Sequence, residues 1–213
     1  HVGLNETHHI GRIEIHPTDP NIVYVAAAGR LWGPSKERGV YKTTDGGTTW
    51  SHVLFVNEDT GVNDIAMDPQ SPGTLYAGAY QRRRSAFGFN GSGPHSALYK
   101  TTDAGATWKK LAKGLPEGGE TGRIGVHIYR KNPAIVYAII EHARGGIFRS
   151  EDRGESWTRM SDTNSRPMYY SQIRIDPNND QRIWSLAASM YFSDDGGRTF
   201  RTNLVTRIHG DHH

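Results

Sequence analysis

The sequence lacks several features that would restrict it to a particular chemistry. It has no cysteine among its 213 residues, so disulfide bonds and thiolate metal sites are excluded, but the absence does not separate an oxidising compartment from a reducing one. No apolar run is long enough to span a membrane. The first four residues, His1 to Leu4, have neither the basic nor the apolar region of a signal peptide.

Common catalytic and nucleotide-binding motifs are also missing. There is no glycine-rich phosphate loop, no Gly-x-Ser-x-Gly elbow and no His-Glu-x-x-His stretch, and we predict no cofactor. The formal net charge of +3 is too small to predict nucleic-acid binding. What the chain does have is 25 glycines, 10 prolines and many short strand-like runs, a composition that favours an all-β fold.

An eight-residue motif, called the octet below, occurs four times. Counted from its aspartate, the octet has a hydroxyl residue at −2, glycine at +2, a hydroxyl residue at +4 and an aromatic residue at +5. A further aromatic residue stands at −4 in each copy. The aspartate, glycine and +5 aromatic residues are Asp45, Gly47, Trp50; Asp103, Gly105, Trp108; Asp152, Gly154, Trp157; and Asp195, Gly197, Phe200. Agreement at six positions in four places identifies an internal repeat.

The composition of the octet is typical of a structural turn. An aspartate close to glycine between two strand-like runs is a hairpin signal, and its carboxylate can accept hydrogen bonds from the next backbone N–H groups. Glycine at +2 supplies a positive φ without steric cost. Because four copies share one register, we predict a structural role for these aspartates rather than a catalytic one.

The rest of each repeat predicts three more strands. An alternating apolar strand such as Ile13 to Ile15 is followed by a turn, usually with proline, and then by a strongly apolar second strand with an aromatic residue at a fixed place. Four strands in the 43 to 58 residues between octet aspartates are the period of a β-propeller blade. A β-solenoid has a shorter repeat, and a helical repeat conflicts with the period of two.

We therefore predict a β-propeller segment with blades at about residues 9–58, 59–118, 119–166 and 167–206. The spacing from Gly3-Leu4 to Gly11-Arg12-Ile13 recurs at residues 114–124, where it follows an octet. This predicts that the chain begins after a missing octet, ends as a further blade opens, and is a piece of a larger propeller. The open sheet edges predict pairing with the remaining blades or with another protein chain.

The octet resembles the Asp-box, or bacterial neuraminidase repeat, with the pattern Ser/Thr-x-Asp-x-Gly-x-Thr/Ser-Trp. The surrounding blade, with its Asp-Pro turn and Val-Tyr strand, resembles sortilin/Vps10-type and glycosyl-hydrolase-like propellers of bacteria. The resemblance covers nearly the whole chain and implies a propeller in a secreted or periplasmic protein, with octets on the face away from the ligand site. It implies no single function, because Asp-box propellers include sialidases, xyloglucanases, sorting receptors and photosystem assembly factors.

The face opposite the octets is expected to carry the long, unequal loops at residues 29–38, 81–96 and 141–145, where a repeat protein usually places a binding site. Histidines and an aspartate near this face include possible ligands of a divalent ion: His8, His9, His209, Asp211 and His212. Adjacent histidines point to opposite sides of a strand, and the two groups belong to blades that are not neighbours. We therefore favour residues lining a wet channel, keep His9, His209, Asp211 and His212 only as a minor metal hypothesis, and predict no metal.

Arginine and tyrosine residues supply further ligand-binding candidates. Arg12 and Arg123 are expected at the same place in their blades, and Arg82, Arg83 and Arg84 lie in the longest loop near two phenylalanines. Arginine forks beside aromatic rings suit carboxylates, sulfates or sugar rings, although solvated ion pairs are the simpler interpretation. Tyr169 and Tyr170 could stack on a sugar or act as a nucleophile, but packing is the simpler role for them too.

Two functions remain open at this point. A glycosidase needs two carboxylates across the scissile bond, and those expected on the loop-rich face are Glu6, Glu58, Asp59, Glu120, Glu141 and Asp211. No sequence spacing pairs any two of them. We therefore predict a segment of an exported propeller that binds a peptide or glycan on its channel-facing loops, with a glycoside-hydrolase-like enzyme acting on extracellular polysaccharide as the alternative.

Overall fold

The computed structural model describes residues 2–117 and 119–202. The described residues form strands joined by turns and loops, and they include no helix that could span a membrane. The first sheet contains β1 (Ile10–Ile15), β2 (Val23–Ala27), β3 (Gly39–Thr43) and β4 (Ser51–Leu54). The second contains β5 (Thr60–Met67), β6 (Leu75–Gln81), β9 (Ala97–Thr101) and β10 (Lys109–Lys110).

The third sheet repeats this order with β11 (Ile124–Ile128), β12 (Val136–Ile140), β13 (Gly146–Ser150) and β14 (Thr158–Ser161). The fourth contains β15 (Gln172–Asp176), β16 (Asn179–Leu186) and β17 (Met190–Ser193). An isolated bridge between Phe192 and Arg201 continues it where a fourth strand would run. In all four sheets, consecutive strands pair antiparallel. The fold is therefore all-β, with sheets built as propeller blades.

The four sheets pack on one another in chain order. Their first strands, β1, β5, β11 and β15, contact each other in that sequence, and β1 makes no extensive contact with β15. Apolar side chains fill each gap between sheets, and the octet aromatic of the later sheet joins each cluster: Trp108 in the first gap, Trp157 in the second and Phe200 in the third. The +5 aromatic residue of an octet thus packs in the hydrophobic core between its own blade and the preceding blade.

One face of the first sheet is open. Ile13 and Ile15 are 55% and 57% exposed. The counterparts of Ile13 in the second and fourth sheets, Ile65 and Ile173, are 1% and 0% exposed. The alternating pattern of β1 predicts a buried face, and the later sheets show one. In the first sheet no other sheet of the described residues packs on that face, and only Leu4 and Trp50 pack against its Val25, Ala27 and Tyr41.

Each octet forms a turn that is held by its own side-chain hydrogen bonds. In the first copy, the Asp45 carboxylate accepts hydrogen bonds from the Thr49 amide at 2.9 Å and the Thr49 hydroxyl at 2.7 Å. The Thr43 hydroxyl accepts one from the Gly47 amide at 3.0 Å. The other three octets repeat this set. These bonds hold the pKa of the four octet aspartates at about 2, below the usual value.

The first three octets are also hydrogen-bonded to the turn between the first two strands of their own sheet. The amide of Gly46 donates to Asn21, that of Ala104 to Gly73 and that of Arg153 to Ala134, at 2.9 to 3.1 Å. Octets and these turns therefore lie on one face of the propeller, as the strand order predicts. The opposite face, called the loop-rich face below, carries the links into each first strand and the loops between second and third strands.

A β-bulge changes one expected equivalence. Between Ile10 and Arg12 the register of β1 shifts, and Arg12 pairs with Ala26. The carbonyl of His9 accepts the Ala28 amide, just as the carbonyl of Arg123 accepts the Glu141 amide. The expectation that Arg12 and Arg123 occupy the same place is therefore wrong, because the extra residue of the bulge makes His9 the counterpart of Arg123.

Candidate functional site

Backbone hydrogen bonds between blades assemble the loop-rich face. The Ser35 amide donates to the Glu58 carbonyl at 2.8 Å, and the Gly93 amide donates to the Thr121 carbonyl at 2.9 Å. The longest loop folds into a hairpin of β7 (Arg83–Ser85) and β8 (Gly88–Asn90). The Arg84 amide ties this hairpin to Leu31 of the first blade. Loops of three successive blades thus form a continuous surface.

A cavity of about 380 Å³ on this face is lined by three carboxylates. Glu120 comes from the link into β11, Glu141 from the loop after β12, and Asp162 from the segment after β14. His142 and Arg159 also line it. We call Glu120, Glu141 and Asp162 the acidic groove. Two of its members were on the sequence-based list of carboxylates; Asp162 was missed, since it lies outside the loops expected to carry the site.

The carboxylates of the acidic groove have unlike environments. Burial raises the pKa of Glu141, and a hydrogen bond from the Arg123 amide at 2.9 Å partly offsets that effect. Glu120 is exposed and accepts a 2.6 Å hydrogen bond from the Ser92 hydroxyl. Asp162 is exposed as well. Carboxyl groups in unlike environments, one partly desolvated and the others exposed, are the arrangement from which acid and base roles are made.

Beside this groove, the structure brings Arg123 and Tyr169 together, and the rings of Tyr169 and Tyr170, 6.2 Å apart, differ in exposure. The Arg123 Nη1 atom donates to the Tyr169 carbonyl at 2.6 Å. The Tyr169 ring is 54% exposed with the Arg166 guanidinium over it, whereas Tyr170 is 4% exposed. Tyr169 therefore offers an aromatic surface to solvent and Tyr170 is a packing residue.

The three consecutive arginines differ in their surroundings. Arg83 forms a 2.6 Å ion pair with Asp59, and the Arg84 guanidinium lies 5.3 Å from the centre of the Phe89 ring. Arg82 forms no ion pair in the described part of the chain. Only Arg83 thus takes the ion-paired role that the simpler interpretation gave to all three.

The first strands carry a second charged cluster. The Arg12 Nε atom contacts Asp64 at 3.0 Å, and the Asp64 carboxylate also accepts the Val126 amide of the third sheet at 3.0 Å. Burial raises the pKa of Glu14 to about 7, and burial lowers that of His127 to about 4. Arg12 is therefore bonded to a neighbouring blade, and Asp64 links three blades.

The histidine candidates do not form a metal site in the described residues. His9 contacts the Gly29 carbonyl through Nδ1 at 3.0 Å, and His8 is exposed with a φ of 56°. Across residues 2–117 and 119–202, no group of three or more His, Asp or Glu side chains is placed to hold a metal ion. His209, Asp211 and His212 lie outside the described residues.

Comparison with known proteins relates the chain to polysaccharide-degrading enzymes and to one assembly factor. No family model matches it. It is 24% identical to a probable oligoxyloglucan-reducing end-specific xyloglucanase of Neosartorya fischeri, over 88% of this chain and 25% of that protein. It is 28% identical to a xyloglucanase of Paenibacillus sp, over 78% of this chain and 14% of that protein.

A third relative has a different activity. The photosystem II assembly lipoprotein Ycf48 of Picosynechococcus is 24% identical, over 84% of this chain and 58% of its own length. Among solved structures, an ancestral GH74 enzyme superposes with a TM-score of 0.67 at 15% identity, covering 95% of this chain and 26% of that enzyme. The chain therefore spans only part of each of these proteins, and the superposition supports a β-propeller fold.

Proposed function

We propose that this chain is the blade segment of a glycoside-hydrolase-like propeller that acts on a xyloglucan-type polysaccharide. The observation that carries the proposal is the acidic groove, where a desolvated Glu141 and a solvated Glu120 line one cavity. Glu141 would donate a proton to the glycosidic oxygen, and Glu120 would act as base or nucleophile. The similarity to two xyloglucanases supports the substrate class.

The test is hydrolysis of xyloglucan by the full-length protein that contains this chain. We expect the Glu141→Gln variant to lose about 100-fold or more in kcat with little change in KM, since a proton donor acts only in the transition state. Glu151→Gln, an exposed carboxylate in the third octet on the opposite face, is the matched control and should keep full activity. Absence of turnover of xyloglucan and its oligosaccharides in the unsubstituted protein would reject the enzymatic proposal.

A non-catalytic binding propeller is the second candidate, with a peptide or glycan as ligand. Two observations favour it: the exposed Tyr169 ring beside Arg123 on the loop-rich face, and the similarity to an assembly factor. It predicts saturable binding of a glycan or peptide without any turnover. A glycan array screened with the full-length protein, followed by hydrolysis assays on each hit, separates the two candidates.

We also propose that further blades cover the open face of the first sheet and that the protein is secreted or periplasmic. The exposure of Ile13 and Ile15 supports the first part, since contiguous apolar surface is rarely left in water. A polysaccharide substrate outside the cell supports the second. Light scattering on the 213-residue chain should show association, and a closed four-bladed monomer would contradict the proposal.

A further inference from the structure

The most exposed aromatic side chain of the described residues lies at the tip of the β7–β8 hairpin. Phe87 is fully exposed, so its ring adds little to the packing of the fold. The other three exposed aromatic side chains in the described part of the chain, Trp32, Phe55 and Tyr169, also lie in loops or links of the loop-rich face. A single exposed ring is ordinary on a protein surface, but Phe87 borders a polar cavity that gives it a use.

This cavity, called the hairpin cavity below, has a volume of about 400 Å³. The Arg83 Nη2 atom lies 2.6 Å from Asp59 Oδ1 in it, and the two side chains remain 42% and 36% exposed. Asn90 is exposed as well. Its lining side chains include Asp59, Gln81, Arg83, Phe87, Phe89 and Asn90. Carboxylate, guanidinium, amide and aromatic ring therefore share one space that a ligand can reach.

Contacts within the protein hold the hairpin in position. The Arg84 amide donates to the Leu31 carbonyl of the first blade at 3.0 Å, and the Arg84 guanidinium lies 5.3 Å from the centre of the Phe89 ring. At the tip, the Ser85 hydroxyl accepts the Phe87 amide at 3.3 Å. A surface that is already ordered loses less conformational entropy when a ligand binds to it.

The hairpin cavity adjoins the acidic groove. The Asn90 Oδ1 atom accepts the Ser92 amide at 3.2 Å. Ser92 in turn lines the cavity of the acidic groove, where its hydroxyl donates to Glu120 at 2.6 Å. Residues 90–92 thus lie between the two cavities. A glycan chain that is longer than the groove can continue along this segment onto the hairpin.

We propose that the hairpin cavity binds a neutral sugar unit of the glycan chain that occupies the acidic groove, with the sugar ring stacked on Phe87. The C–H faces of a sugar pack on an aromatic ring, and its hydroxyls both donate and accept hydrogen bonds. Asp59 offers an acceptor, and Arg83 and Asn90 offer donors. Since Arg83 is already paired with Asp59, this pair does not require a charged ligand.

This inference rests on the proposed function for its glycan class. It adds a second binding position, which makes the affinity depend on the length of the glycan. Binding is measured apart from turnover, so the two proposals can fail independently.

The experiment measures by calorimetry the binding of two neutral xyloglucan oligosaccharides, one and two repeating units long, to the full-length protein. All proteins carry Glu141→Gln, which keeps the ligand intact. We expect the longer oligosaccharide to bind roughly 10-fold tighter than the shorter one, and Phe87→Ala to remove most of that difference. Phe87→Trp should keep the difference and Phe87→Leu should lose it, because stacking requires a flat ring. Phe55→Ala, an exposed ring outside the hairpin cavity, is the matched control and should keep it.

A length preference that survives Phe87→Ala would overturn the proposal, as would a failure of both oligosaccharides to bind. An equal loss in Phe55→Ala would also overturn it, because the effect would then not belong to the hairpin cavity. Self-association that Phe87→Ala abolishes, measured by light scattering, would overturn it in favour of a contact between copies of the protein.

Two further measurements separate the possible causes. Thermal melting checks the folding of each variant, and Phe87→Ala should melt like the unsubstituted protein because the ring is fully exposed. Hydrolysis of xyloglucan is measured in the protein without Glu141→Gln. If hydrolysis is absent while the length preference depends on Phe87, only the enzymatic proposal is rejected. If hydrolysis occurs and the preference does not depend on Phe87, only this inference is rejected.

Discussion

The hydroxyl of Tyr24 donates a 2.9 Å hydrogen bond to the backbone carbonyl of Ala104, which lies in the octet of the next blade. Tyr76 makes the same bond to Arg153 of the third octet at 2.7 Å, and Tyr137 bonds to Asp180 in the fourth sheet at 2.9 Å. All three tyrosines are buried. The second strand of each blade is thus tied to the octet or the turn of the blade that follows, on the face away from the acidic groove.

Replacing Tyr76 with phenylalanine tests how much this hydrogen bond between blades contributes to stability. We expect Tyr76→Phe to lower the free energy of unfolding by about 1 kcal/mol, because the hydrogen bond to the Arg153 carbonyl is lost while the apolar packing is kept. Chemical denaturation measures the change. Tyr99→Phe is the matched control, since the Tyr99 hydroxyl has no hydrogen bond within the described residues. Equal losses in the two variants would show that the bond contributes nothing.

Three glycines separate the cost of backbone strain from that of a steric clash. Gly154 has a φ of +79°, and an added Cβ would stand 2.8 Å from the Tyr76 ring. Gly33 has a φ of +77° with open space around it, and Gly88 has neither constraint. We expect glycine-to-alanine stability losses to increase from Gly88 to Gly33 to Gly154, with about 1 kcal/mol for the φ alone. Urea denaturation ranks them, and a Gly154→Ala variant no weaker than Gly33→Ala would contradict the clash.

The fold could be predicted from the repeated turn. The candidate site could not, because it depends on contacts between residues that are distant in the sequence. The octet aspartates bond to residues two and four positions away, so their pattern is visible in one stretch of sequence. The recurring Tyr24, Tyr76 and Tyr137 were visible too, but the partner of Tyr24 lies 80 residues further on. A turn encoded locally can be predicted, whereas a contact between blades requires the register of two sheets.

The candidate site is hard to predict for the same reason. The three carboxylates of the acidic groove belong to three separate loops of the third blade and line one cavity only because the strands of that sheet pair as they do. The β1 bulge breaks the equivalence of Arg12 and Arg123 but leaves no distinct signal in the sequence. Gly11, which lies within the bulge, is equally typical of a strand that another backbone approaches closely.

The octets should stabilise the protein above mildly acidic pH. Hydrogen bonds from Ser156 and Ser150 hold the pKa of Asp152 at about 2, below its ordinary value of 3.8. The stabilisation is therefore complete above pH 3.8 and is lost as the pH falls through 2. We expect Asp152→Asn to be less stable than the unsubstituted protein at about pH 7 and the difference to shrink towards about pH 2. Thermal melting of the two proteins across this pH range measures the trend, and a stability difference that does not shrink towards low pH would contradict it.

The ionisation of Glu14 should change stability with pH in the direction opposite to that of the octet aspartates. Burial raises its pKa from 4.5 to about 7, despite the nearby positive charges of Arg12, Arg130 and Arg174. The folded state then holds this proton more tightly than the unfolded chain, so the stabilisation is complete below pH 4.5 and is lost as the pH rises through 7. We expect Glu14→Gln to remove that loss, which makes the variant more stable relative to the unsubstituted protein at about pH 8 than at about pH 4.5. Urea denaturation at these two pH values measures it, with Glu6→Gln as the exposed control. A stability difference that does not change with pH would mean that Glu14 ionises alike in both states.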